Sequence, residues 1–496
     1  AVARIVFEGA DHLPKATLDT LTQPYRGRCL TLPDLNTMLR AITEAYVAAG
    51  YIAARPYLPQ QDLKNGVLTI VIVEGKVEAI VPESEDWARN AELETAFPGL
   101  EGDVLNLRDI EQGLDQINRL RSNRATMTLQ PGSQPGATRV VVKNQPDKRW
   151  RVSTGLNNSG QASTGRQQYQ ANAEFDNPLG LNDFLSLTTD RSANYDDDWR
   201  ASRSVNGFAS IPYGYWTLTV SINYSDYAAP VSGTNQTYHS TGNSRTQAVE
   251  LERVLHRDAD SKTSAKGLFR YYGTNAYFND QKLDTSSYSL AVGGFGLGHS
   301  RRLLGGLFSA QGTWERGLDL LQADADAPGL AKDSPHAQFD KVTADVSYLR
   351  PIDLGGASLT YTGSAHGQWS ETTLYSPERI SLGGRYSVRG FDSNEIRGDT
   401  GFYVRNEMSL PLPKTGEALI DDGIGQVAPF LAYDYGVLRD DPKDATERGV
   451  MSGWAAGLRI SGDYLRFSLA YAQPLRSPAF VTQRDREVYL SLAVQY

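Results

Sequence analysis

The 496-residue sequence holds one cysteine, Cys29. No disulfide can close within it, and so sparse a usage suits an envelope protein and a cytosolic one equally. Cys29 itself is expected to be a small buried side chain beside a helix start. No run of about 18 apolar residues exists, which excludes a bilayer-crossing helix, and the mean hydropathy is only -0.42. A transmembrane barrel is not excluded, because its strands place apolar side chains at every second position and leave no long run. Positive charge is also in short supply. There are 49 Lys and Arg against 58 Asp and Glu, a net charge of -9, and the cations are scattered. That excludes the basic field by which proteins bind nucleic acid nonspecifically. The six histidines, His12, His239, His256, His299, His336 and His366, form no HExxH pair, and there is no GxSxG elbow or nucleotide-binding loop. Neither a metal nor another cofactor is expected, and no enzyme activity or built-in energy source. The acidic stretches "NYDDDW" and "DADAP" read as solvated loops rather than cation sites. No basic-then-apolar leader is present; "AVARIVFEGA" runs directly into a strand, so a processed or truncated start is expected.

Residues 1–147 carry one pattern twice. The first copy opens with the strand "VARIVFEG" and a short helical segment around Lys15–Leu21. A longer helix from about Pro33 to Ala49 follows, its start marked by Thr31 three residues before Asp34 and by proline in the first turn. Leu35, Leu39, Ile42 and Tyr46 lie on one helical face, Gly50 ends the helix, and strands follow near Ile52–Leu58 and in "GVLTIVIVEG". The second copy has "KVEAIVPE", a helix near Ala88–Phe97, a helix presenting Ile110, Leu114, Ile117 and Leu120, and then "ATMTLQPG" and "TRVVVKNQ". Both copies read βααββ: a small sheet covered on one face by two helices, with a strand edge left open to pair with another chain.

After Lys148 the helical period gives way to about sixteen alternating segments. In "WTLTVSINYS", Trp216, Leu218, Val220, Ile222 and Tyr224 point one way and Thr217, Thr219, Ser221, Asn223 and Ser225 the other. "LRFSLAYA" alternates likewise. A soluble sandwich shares this pattern, but connection lengths separate the two. Even-to-odd connections such as "PYGY", "RRLLGG" and "SGD" are mostly short, whereas most odd-to-even ones, among them "AAPVSGTNQTYHSTGNS" and "QADADAPGLAKDSPHA", are long. An up-and-down barrel with periplasmic turns and larger extracellular loops produces this asymmetry, and the final segment "REVYLSLAVQY" reads as a closing strand.

One loop stands apart: "GGRYSVRGFDSNE", in the long connection between the eleventh and twelfth strands, carries Arg389 among glycines. On the strand 423–438 the apolar parity is Val427, Leu431, Tyr433, Tyr435 and Val437; Phe430, Asp434 and Gly436 take the other and point inward. A loop folded back into a partly dry lumen would bring Arg389 to Asp434 as a hydrogen-bonded ion pair.

With these motifs assembled, the whole chain resembles the outer-membrane transporters of two-partner secretion, which join POTRA repeats to a sixteen-stranded barrel. Val388, Arg389, Gly390 and Phe391 are similar to the family's VRG-aromatic loop motif, and the segment from Phe430 to Gly436 to its FxxxDxG strand motif. The resemblance implies a mainly β fold with two small α+β repeats. POTRA 1 would span residues 1–75, POTRA 2 residues 76–147 and the antiparallel transmembrane barrel residues 148–496, with an inward-folding loop at about 376–399. It further implies a loop-to-wall contact of Val388, Arg389, Gly390 and Phe391 with Phe430, Asp434 and Gly436, Gly390 allowing close approach and Phe391 packing nearby. Family members begin with a helix that plugs the barrel, and nothing before Val2 in this sequence supplies one. The partners implied are a large unfolded exoprotein, captured by the POTRA repeats and exported without ATP, and the outer-membrane lipid and lipopolysaccharide around a monomeric barrel; nucleic acid is not among them. The runner-up reading is a factor that inserts other barrel proteins, against which the two repeats and the FxxxDxG strand argue. A barrel hydrolase ranks last, for want of a nucleophile, base and orienting group that converge.

Overall fold

The computed structural model describes residues 1–84, 90–194, 197–391, 394–413, 416–417, 424–439, 448–481 and 486–496. Ala88, Arg89, Tyr195, Asp196, Asp392, Ser393 and Gly423, which belong to segments read from the sequence above, lie outside the described residues. The chain divides into two compact units. The first comprises Ala1–Arg149 with the short segments Asp176–Asp183 and Ile211–Tyr215, and the second holds the remainder.

Within the first unit the order is β1 (Arg4–Glu8), α1 (Lys15–Thr22), α2 (Leu32–Ala48), β2 (Arg55–Tyr57) and β3 (Val67–Val73). The helix α2 starts where the Thr31 side chain accepts from the Asp34 amide while the Asp34 carboxylate accepts from the Thr31 amide. This reciprocal cap satisfies two donors that a helix start would otherwise leave bare. Gly50, at φ +96°, supplies the left-handed residue that stops the helix. The face that α2 buries centres on Met38, Ile42 and Tyr46, which are fully enclosed against Leu68, Ile70 and Ile72 of β3, while Leu35 and Leu39 sit at its margin. Burial of this kind stabilises by about 1.5–3 kcal/mol per large apolar side chain. β3 is the middle strand, parallel to β1 with Arg4 opposite Val67 and antiparallel to β2 with Arg55 opposite Val73. Cys29 is exposed, contrary to expectation. It lies in the stretch before α2, where its neighbours Tyr25 and Leu30 take the positions against the core.

The second repeat has the same order: β4 (Lys76–Pro82), α3 (Asn90–Ala96), α4 (Leu107–Asn118), β5 (Thr126–Pro131) and β6 (Ala137–Lys143). Ile110, Ile117 and Leu120 are buried and Leu114 is partly so, against Val140 and Val142 of the central strand β6. Each sheet has two outer strands, and the antiparallel ones, β2 in the first repeat and β5 in the second, differ. β2 is three residues long with Pro56 in the middle, whereas β5 runs six residues and meets proline only at Pro131. Proline removes a ladder donor, so β5 is the better template for an added strand.

The second unit is a closed antiparallel barrel of sixteen strands among the described residues, not counting the two-residue strand Gln281–Lys282. Closure occurs where the last strand, Glu487–Gln495, pairs with the first, Trp150–Asn157, with Ser491 opposite Asn157 and Gln495 opposite Ser153. Trp216, Leu218, Val220, Ile222 and Tyr224 all lie on the outer, exposed face. One expectation about connections needs correcting. "AAPVSGTNQTYHSTGNS" is not a long loop: the strands Trp216–Ser232 and Thr237–Arg257 run through it and leave only 233–236 between them. Small polar residues alternating with Tyr and Val keep the ladder going, with Ala228 opposite Thr241 and Val231 opposite Tyr238. Among the mostly short even-to-odd connections, the one after Gly401–Ser409 is an exception, spanning 410 to 425.

Candidate functional site: a loop docked on the barrel wall

The eleventh strand, Ser358–Ser370, and the twelfth, Gly401–Ser409, are adjacent in the wall, and the chain between them turns back over their inner face. It forms a short helical turn, Ser376–Glu378, and a small hairpin in which Ile380–Leu382 pairs with Ile396–Gly398. Glycines 383 and 384, both at positive φ, open the hairpin into the bend that carries Val388, Arg389, Gly390 and Phe391. Within the bend the side chains of Val388, Arg389 and Phe391 are almost completely buried, whereas Tyr386 is exposed.

Arg389 meets the thirteenth strand, Gln426–Leu438. Its Nε donates to Asp434 Oδ2 at 2.6 Å, its Nη2 to Oδ1 at 2.7 Å, and its backbone amide to Oδ2 at 3.1 Å. A two-armed guanidinium–carboxylate pair fixes direction as well as distance. The third arm, Nη1, donates to Glu407 Oε2 at 2.9 Å. Glu407 in turn accepts from Arg459, and Arg459 lies 4.2 Å over the Phe430 ring. Two carboxylates and three guanidinium groups therefore gather on the inner wall: Arg405, on the twelfth strand, lies 3.8 Å from Asp434 Oδ1 and donates to the carbonyls of Arg385 and Tyr386 in the bend, and each buried charge has an opposite neighbour.

Backbone proximity explains the glycines. A Cβ on Gly390, which has φ +98°, would lie 2.8 Å from the backbone nitrogen of Pro474; one on Gly453 would overlap the carbonyl oxygen of Arg389. One on Gly436 would run into Leu382 and Val388. Val388, Leu382 and Phe391 pack with Leu438 and Met451 in one apolar cluster, so the arginine is flanked by dry contacts. Phe430 belongs to a different cluster, with Ala432, Ala455, Ala470, Ala472 and Tyr489. Its link to the loop is indirect: the Tyr489 hydroxyl accepts from the Gly390 amide at 2.9 Å.

Five participants went unread in the sequence: Glu407, Arg459, Arg405, Gly453 and Tyr489. Parity could have found the first two, since an ionisable side chain on the inward face of a membrane strand marks a functional position. No sequence signal distinguishes Gly453 from the other barrel glycines; its need follows from where the loop lands. Among the described residues no group of His, Cys, Asp and Glu is placed to hold a metal ion.

Residues 136–460 match the family of haemolysin secretion/activation proteins ShlB/FhaC/HecB. The chain belongs to this family. Residues 1–75 match its ShlB-type POTRA domain and residues 76–131 a further POTRA domain. The chain is 35% identical to the outer membrane transporter CdiB of Escherichia coli over 100% of its own length and 82% of the relative's. It is 31% identical to the hemolysin transporter protein ShlB of Serratia marcescens, over 95% of this chain and 80% of that one. The solved structure of CdiB from Escherichia coli superposes with a TM-score of 0.94 at 35% identity, covering 100% of this chain and 90% of that one. The protein is thus an outer-membrane transporter of two-partner secretion, its POTRA domains periplasmic and its barrel in the outer membrane.

Proposed function

We propose that this transporter takes an unfolded exoprotein from the periplasm and passes it through the barrel to the cell surface without ATP. The POTRA repeats bind the polypeptide by strand addition, and of the antiparallel outer strands β5 is favoured over β2 for docking. The barrel acts as a monomer among outer-membrane lipid and lipopolysaccharide. The loop carrying Arg389 fills the lumen at rest and its docked position is required for transport. Folding of the emerging chain outside supplies direction, since a folded segment cannot return. The transporters among its relatives favour this over catalysis.

The observation that carries the reading is the Arg389–Asp434–Glu407 network. A lumen-filling segment fastened by directional charge contacts, rather than woven into the wall, is a closure that can be released. The test is to delete residues 1–75 and measure both export of a two-partner exoprotein co-expressed with the transporter and conductance in planar bilayers. Capture and export should be lost while the pore remains; unchanged secretion would remove the POTRA repeats from the mechanism.

A further inference from the structure

The inward loop touches the barrel wall at a second place that shares no residue with the Arg389 network. Glu378, in the helical turn at the root of the loop, has a side chain with no exposure to solvent. Arg270 reaches it with both arms, Nη1 to Oε1 at 2.9 Å and Nη2 to Oε2 at 3.0 Å, and Lys341 Nζ donates to Oε2 at 2.6 Å. Arg270 comes from the seventh strand, Ser261–Phe278, and Lys341 from the tenth, Asp340–Asp353. Glu315, on the ninth strand, Gly306–Leu318, approaches both cations, at 3.3 Å from Arg270 and 3.1 Å from Lys341. Two acids and two bases thus form a second closed group. The backbone of the turn is fastened too: Gln368 Nε2 donates to the carbonyl of Glu378 at 2.9 Å, and Asp399 accepts from the Leu374 amide at 2.9 Å. Tyr375 stacks on Tyr288 at 4.3 Å between ring centres, and Leu374 is buried beside Phe339.

The two contacts have opposite polarity and grip different arcs of the wall. At the root the loop offers an acid to cations on the seventh and tenth strands. At the bend it offers a base to acids on the twelfth and thirteenth, with Gly390 and Gly453 fitting it against the fourteenth and fifteenth. We propose that Glu378 is the positioning residue of a separate anchor, about which the loop swings. The Arg389 end lets go while the Glu378 end stays fixed, which opens the lumen beside the twelfth to sixteenth strands and leaves the arc around the seventh to tenth strands covered. Buried two-armed pairs do not slide, so release at one end need not loosen the other. The inference does not depend on which protein is exported, or on export at all.

The experiment uses the full chain in outer-membrane vesicles with Cys29→Ser as background and a single reporter cysteine, either Leu374→Cys at the root or Val388→Cys at the bend, probed with a membrane-impermeant maleimide. Both positions are fully buried when docked. Arg389→Ala should raise labelling at the bend on the order of a hundredfold and leave the root within about twofold of its starting rate. Glu378→Gln should raise labelling at the root by a similar factor, and Glu378→Asp should restore part of the protection. Root labelling that stays low in Glu378→Gln, or that rises equally in Arg389→Ala, would overturn the proposal: the first leaves Glu378 without an anchoring role and the second makes the loop a single lock. Should Glu378→Gln fail to give a heat-modifiable barrel, Arg270→Lys is measured in its place. It keeps the charge but loses the two-armed contact, so raised root labelling supports the anchor and unchanged labelling refutes it.

Discussion

Arg389 surrounds Asp434: three donors of one residue, two from the guanidinium and one from the main chain, converge on a carboxylate with no solvent exposure. Taking Arg389 away leaves Asp434 only Arg405, 3.8 Å off, and taking Asp434 away leaves Arg389 only Glu407; breaking a buried pair costs about 3–5 kcal/mol. Arg389→Ala and Asp434→Ala are therefore expected to give assembled, heat-modifiable barrels whose export of exoprotein falls sharply at equal protein level. Arg389→Lys, with its charge kept and its fork lost, should fall between. Wild-type secretion by both alanine variants would sink the idea.

Glu407 is the weaker half of the same network. Its side chain keeps some contact with solvent and is shared between Arg389 and Arg459. Glu407→Gln should reduce export less than Asp434→Asn does, by a margin of roughly 1–2 kcal/mol in loop docking, because a partly wet charge pair is worth less than a dry one. Limited proteolysis of the loop in both variants compares them directly, and equal sensitivity would place the two acids on one footing.

The glycines make a prediction free of charge effects. Gly453→Ala would press a methyl group onto the carbonyl of Arg389, and Gly390→Ala would meet strand backbone at Pro474. Neither obstacle is a flexible side-chain end, so the loop has to lift. Both variants should resemble Arg389→Ala in export and loop protection, although every charged group is in place. Gly312→Ala, where an added Cβ meets nothing within 4 Å, is the control and should behave as wild type.

In the first POTRA repeat Glu74 is buried and accepts from the His12 amide at 2.9 Å and the Tyr46 hydroxyl at 3.0 Å, with His12 Nδ1 at 2.6 Å. Burial alone would raise the carboxyl pKa, but these hydrogen bonds outweigh it and hold the value below the ordinary 4.5. Burial and then Glu74 push the Tyr46 phenol well above its usual range. A depressed carboxylate pKa means that the unfolded chain binds the proton more readily. The stabilisation is complete above about pH 4.5 and is lost as pH falls through the lower folded value. Protection factors for hydrogen exchange in the first repeat, corrected for the intrinsic rate, should therefore fall on acidification below that point, and Glu74→Gln should flatten this acid limb.

Much of this arrangement was legible in the sequence, for identifiable reasons. The Thr31–Asp34 cap and the apolar faces of the two long helices follow local rules, and strand parity aimed Asp434 inward. Met38 escaped because the face was drawn through Leu35 and Leu39, whereas the helix rolls one position onto Met38 once the sheet is in place. Residues 228–244 look like a loop because they lack the greasy alternation of the other strands; beyond the lipid a strand has no reason to be greasy. Glu378 lay within the segment read as the motif loop, yet its importance depends on cations contributed by distant strands of the barrel wall, which no local pattern reports.

The hairpin of Trp216–Ser232 and Thr237–Arg257 has a further consequence. Its strands of 17 and 21 residues exceed the roughly 9–11 that a tilted strand needs to cross the bilayer, so its tip stands about 20 Å clear of the membrane. The chain enters the barrel from the periplasm, which puts that tip on the outside of the cell. An antibody raised against residues 230–240 would count these transporters on living bacteria while leaving the lumen untouched, and a neighbouring cell or a phage meets this ribbon before it meets the pore.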